Sequence, residues 1–122
     1  MTFYIVEQDP LVRTDLRELL QEMFPGEAVH ALESVQEMIS SLSMARLEEM
    51  VVALIGAPIN EAIALQEHLG ATADKFRFIM MNDTPAHAAG QPASWPFVPR
   101  PFSGDMVISA IKSVLGHQPE VR

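Results

Sequence analysis

Val51-Val52-Ala53-Leu54-Ile55-Gly56-Ala57-Pro58 decides how the rest of this chain is read. Residues 51–55 are all apolar, with β-branched side chains at 51, 52 and 55, and Gly56 and Pro58 close the run. A strand with one face in water would alternate apolar and polar residues. An unbroken apolar run of this length predicts a strand covered on both faces, as in the middle of a parallel sheet. In open α/β sheets, ligands and chemistry gather at the C-terminal ends of such strands. Here that end is Leu54-Ile55-Gly56-Ala57, which offers no acid, base, nucleophile or metal ligand.

The segments on either side alternate between strand-like and helix-like patterns. Upstream, Thr2 to Val6 is β-rich, and Asp9 with Pro10 forms a helix start: a capping carboxylate, then a residue whose missing N–H costs nothing there. Val12, Leu16, Leu19 and Met23 recur at helical spacing until Phe24-Pro25-Gly26. Ala28 to Ala31 reads as a short second strand. Ser34 caps a second helix with Val35, Met38, Ile39 and Leu42 inward.

Downstream, Ile59, Ala62, Ile63, Gln66 and Leu69 predict a third helix closing near Gly70, and Phe76 to Met81 a fourth strand. Thr84 to Ser94 carries two prolines and a glycine, enough to shorten or remove a fourth helix. Trp95 to Pro99 predicts a fifth strand whose prolines confine it to a sheet edge. Ser103 caps a last helix with Met106, Val107, Ala110, Ile111 and Val114 inward, ended by Gly116. The expectation is one domain over residues 1–116 and a polar tail over 117–122. Five strands alternating with helices predict a flavodoxin-like, three-layer α/β/α fold with a parallel sheet of order 2-1-3-4-5.

Sixteen acidic against eight basic residues give a net charge of −8, which argues against binding to nucleic acid or to an anionic membrane surface. No apolar run is long enough to span a bilayer, and the absence of cysteine fits a cytoplasmic location. Eight methionines serve either as core gap-fillers or as an adaptable surface. His30, His68, His87 and His117 are scattered, with no spacing suited to a shared metal. No Gly-rich phosphate loop, triad or metal cluster is present, so no cofactor and no enzymatic activity are expected.

Four pieces of the chain, in order, resemble the receiver domain of two-component response regulators. They are Ile5-Val6-Glu7-Gln8-Asp9-Pro10 after the first strand, Val51 to Pro58, Met80-Met81-Asn82 after the fourth strand, and Arg100-Pro101-Phe102 after the fifth. Arg-Pro-Phe followed by a capped amphipathic helix is the most telling of them, and the resemblance covers nearly the whole chain. In active receivers a phosphoryl group passes from histidine to an aspartate at the end of strand 3. An acidic pair after strand 1 shares a Mg²⁺ ion with that aspartate, while a Thr or Ser after strand 4 and a Lys before Pro-Phe contact the phosphoryl oxygens. Mg²⁺ is a hard ion that wants carboxylate oxygens, and the cations stabilise charge on the transferring group.

The resemblance assigns this chain a degenerate version of that site. The family's proline four residues beyond the aspartate matches Pro58, which makes Leu54 the phosphoacceptor position. The acidic pair becomes Glu7 and Gln8, the hydroxyl position Asn82, and the lysine position Arg100. No Asp or Glu lies between Met50 and Asn60, so no shift of register restores an acceptor. Glu7 and Arg100 either form a salt bridge across the cleft, occupying the metal and phosphoryl sites, or stay separately solvated. Phe97 matches the family's switch aromatic, and Trp95, Phe97 and Met106 either form an apolar patch or pack into the core. The shortened segment between Asn82 and Arg100 rebuilds the surface through which active receivers dock. The chain is therefore expected to be a pseudo-receiver: a non-enzymatic signalling module acting through protein partners, a second copy of itself among them, by way of region 83–115. The alternative is a ligand-gated regulator whose cleft of Glu7, Gln8, Asn82 and Arg100 binds a small anion or metabolite.

Overall fold

Strands alternate with helices, and the strands all pair in parallel, in the computed structural model, which describes residues 1–42, 49–81, 95–100 and 102–116. The elements are β1 (Thr2–Glu7), α1 (Pro10–Met23), β2 (Ala28–Leu32), α2 (Val35–Leu42), β3 (Val51–Gly56), α3 (Ile59–Leu69), a 3₁₀ turn (Gly70–Lys75), β4 (Phe76–Met80) and α4 (Gly104–Leu115). The sheet has four strands in the order β2-β1-β3-β4, all parallel. The expected shortening of a helix within 84–94 and the tail at 117–122 lie outside the described residues, as do His87 and His117. Among the described residues no helix is long and apolar enough to cross a membrane.

The unbroken apolar run of β3 is explained by two cores, one on each face of the sheet. Val52 and Leu54 point with Phe3, Ile5 and Ile79 toward Leu16 and Leu20 of α1 and Val107 and Ile111 of α4. Val51, Ala53 and Ile55 point the other way, with Tyr4, Val6, Phe78 and Met80, toward Met38 of α2 and Leu65 of α3. Full burial of each large apolar side chain contributes about 1.5–3 kcal/mol.

The helix starts follow the caps in the sequence. Asp9 Oδ1 accepts the N–H groups of Leu11 and Val12 at 2.9 and 3.4 Å, Ser34 Oγ that of Glu37 at 3.1 Å, and Ser103 Oγ that of Met106 at 3.3 Å. Gly70 closes α3 at a φ of 58°, where a side chain would be strained. At the other end of the sheet the N-terminal ammonium donates to Glu49 at 2.6 Å and lies 3.0 Å from Glu27. Hydrogen bonding to these carboxylates, chiefly Glu49, raises the ammonium pKa, and the same bond lowers that of Glu49.

Three expectations are corrected. Instead of a fifth strand, the segment before Arg100 makes a single parallel bridge, Met80 to Phe97. Met80 donates to the Pro96 carbonyl at 3.0 Å, and Val98 donates back to Met80 at 2.8 Å. Residues 96 and 98 therefore face β4, so the N–H that Pro96 lacks is one the ladder needs, and pairing cannot extend upstream. The inward stripe of α1 is centred on Leu16 and Leu20, with Met23 half exposed at the helix end. In α4, Ile108 is buried, whereas Met106, in the first turn, is 37% exposed.

Candidate functional site: an ion pair across the strand ends

Glu7 is the last residue of β1, and strand alternation turns its side chain to the face that holds Phe3 and Ile5. At 4% exposure it is the buried charged residue among those described. A carboxylate so placed is costly unless its oxygens are satisfied. Oε2 accepts the Asp9 N–H at 3.0 Å, and Oε1 is ion-paired with Nη2 of Arg100. The Glu7 carbonyl is held in turn by Arg13 Nη1 at 2.8 Å. Arg100 also lies over the Phe102 ring, 5.7 Å from its centroid, so an aromatic face meets part of the guanidinium that the carboxylate does not.

Gly56 makes room for this pair. It is the register partner of Glu7 at the end of β3. A Cβ there would stand 2.6 Å from Glu7 Oε1, 3.1 Å from Arg100 Nη2 and 3.1 Å from the Val6 carbonyl oxygen. Leu54 lies two residues back on the same face, with no solvent exposure, beside its register partners Ile5 and Ile79. The β3 residue that lines the cleft is thus Gly56, and Leu54 belongs to the core beneath it. Nothing in the sequence distinguished this glycine from an ordinary strand terminator.

Several solved structures superpose on the chain over almost its full length. A response regulator receiver protein from Dyadobacter fermentans matches with a TM-score of 0.72 at 20% identity, covering 94% of this chain and 98% of that one. A LuxR family DNA-binding response regulator from Silicibacter pomeroyi matches with a TM-score of 0.71 at 18% identity, covering 95% and 92%. A response regulator receiver protein from Burkholderia phymatum matches with a TM-score of 0.69 at 21% identity, covering 98% of each chain. The chain has a receiver fold. No protein-family model and no curated protein matches it.

Within this receiver fold the acidic residues after β1 are already committed. Glu7 has Arg100 on one oxygen and the Asp9 N–H on the other, and the Asp9 carboxylate caps α1. Gln8 is exposed, and its carbonyl oxygen is 3.4 Å from Arg13 Nη1. Asn82 lies outside the described residues. Among the described residues no group of three or more His, Asp or Glu could hold a metal ion. Mg²⁺ dehydrates reluctantly and demands near-octahedral oxygen ligands, so the residues present do not fit the ion that the resemblance implies.

The aromatic and methionine residues expected near a docking surface separate. Trp95 is in the core, 8% exposed, with its ring centroid 4.6 Å from that of Phe78. Phe97 is half-buried against the same core. Phe97 and Met106 line an open groove of about 450 Å³, walled by Pro96 and Val98 on one side and Asp105 and Ser109 of α4 on the other.

Proposed function

We propose that the chain is a receiver-like signalling module of the cytoplasm that works without phosphoryl transfer at the end of β3 and acts by protein–protein contact. The observation that carries this reading is the Glu7–Arg100 ion pair seated on Gly56. It fills the place where an acceptor carboxylate and a cation would have to stand, and residues 51–59 contain no carboxylate to supply the acceptor. The leucine at the position matched by proline spacing is sealed in the core, out of reach of any phosphodonor. The open, partly apolar groove beside Phe97 and Met106 supports contact with a partner as the output. A ligand-gated role draws less support, because the cation best suited to hold an anion is engaged by Glu7.

The test is incubation with acetyl phosphate and Mg²⁺, read by intact-mass spectrometry. The expected result is an unmodified chain, and a stoichiometric gain of one phosphoryl group would defeat the reading.

A further inference from the structure

We infer that the Arg100 guanidinium is the resident cation of this cleft: it takes up the Glu7 carboxylate over Gly56, closes the site to divalent cations, and ties the 95–100 segment to β1. The inference deepens the proposed function by naming what holds the module in one arrangement, and it rests on that reading only for its signalling consequence.

Three independent observations support it. Both Glu7 oxygens have partners, one from the backbone and one from Arg100, so a divalent ion could reach Glu7 only by displacing a cation the chain already carries. The exchange is unfavourable, because a guanidinium is weakly hydrated whereas Mg²⁺ would have to shed water for a single carboxylate. Secondly, the pair is seated over a glycine: a methyl at position 56 would stand 2.6 Å from Glu7 Oε1, closer than a Cβ tolerates, and 3.1 Å from Arg100 Nη2. Thirdly, the pair spans segments that the sheet joins only sparsely. Arg100 follows the one described bridge of its segment, at Met80 and Phe97, and precedes Ser103, where α4 is capped. The pair thereby adds a side-chain tie between the first strand and the entry to α4, alongside the groove at Phe97 and Met106.

The experiment uses the whole chain and three variants, Arg100→Met, Arg100→Lys and the double variant Glu7→Gln/Arg100→Met. Melting temperature is recorded with EDTA and with millimolar Mg²⁺ at matched ionic strength, and exchange of the Val98 amide by NMR. The unmodified chain should show the same Tm with and without Mg²⁺, since an ion that does not bind the native state cannot stabilise it. Arg100→Met should lower the Tm and speed Val98 exchange by about tenfold or more relative to amides of β1, because a tie worth a single strong contact has been cut. Arg100→Lys should recover part of that protection. The double variant should exceed Arg100→Met in Tm, since no unpaired carboxylate remains. A Mg²⁺-dependent rise in Tm of the unmodified chain overturns the inference, whether or not any variant folds. Val98 exchange unchanged in a folded Arg100→Met also overturns it. Phosphoprotein formation with acetyl phosphate defeats the proposed function instead. Tm insensitive to Mg²⁺ together with Arg100-dependent Val98 exchange leaves the resident cation standing even then.

Discussion

At position 56 the absent side chain does as much as any present one. A methyl group there would press on Glu7 Oε1 at 2.6 Å, and Glu7 is the buried register partner of Gly56 on β1. Gly56→Ala should therefore cost about 1–3 kcal/mol, the usual range for overpacking a closed site, measured by urea denaturation. Leu54 makes the opposite case. Installing the family's aspartate there, Leu54→Asp, should destabilise the fold by about 3–5 kcal/mol, the size of effect seen when a buried charge has no partner. It should also fail to gain a phosphoryl group from acetyl phosphate, because the position has no solvent exposure. Glu7 and Arg100 were legible in the sequence as the charged residues at two positions of the resemblance to receiver domains. Gly56 was not, since the close approach that needs it is made by residues 49 positions before and 44 after it in the chain.

At the scale of single elements, caps were easier to read than faces. Asp9, Ser34 and Ser103 each accept N–H groups within three residues, a local relation that sequence carries directly. Asp9→Ala should cost about 1 kcal/mol with loss of α1 helicity by circular dichroism, and should leave the Tm as indifferent to Mg²⁺ as before, because this carboxylate caps a helix. On α1, Leu16 is buried and Val12 and Leu19 pack against the core as expected. The expected stripe omitted the buried Leu20 and included the half-exposed Met23, because periodicity defines a stripe but not which flank of it the sheet will meet. The missing fifth strand has a similar origin. Its composition is strand-like, but the direction in which Pro96 lacks its N–H becomes apparent only once residue 96 is seen to face β4.

The clamp at the start of β1 adds a pH dependence with two limbs. The ammonium pKa is raised, so its contribution is present below its ordinary value and lost as pH climbs through the folded one. The Glu49 pKa is lowered, so its contribution is present above the ordinary value and lost as pH falls through the folded one. Glu49→Gln should accordingly lower the Tm near neutral pH, with the difference from the parent chain fading toward both acid and alkaline limits.

Over the whole molecule, the alternation of strands and helices was enough to determine a parallel sheet with cores on both faces, because β3 could be satisfied in no other way. The strand order 2-1-3-4 agrees with the first four places of the flavodoxin-like order expected, while the extent of the fifth member depended on contacts between distant segments. The two apolar layers hold the sheet from both faces, and the Glu7–Arg100 pair adds a local tie at the strand ends.

The chain contains one tryptophan, and it sits against Phe78 at the beginning of the segment that leads to Arg100. Its emission therefore reports on a single place: the junction between β4 and the wall of the groove. A partner that pries this segment loose should shift the emission to the red while the far-ultraviolet circular dichroism stays constant. One that docks without moving it should leave the spectrum alone. The protein thus carries its own optical probe for movement of the segment from Trp95 to Arg100, with no label to perturb the surface being studied.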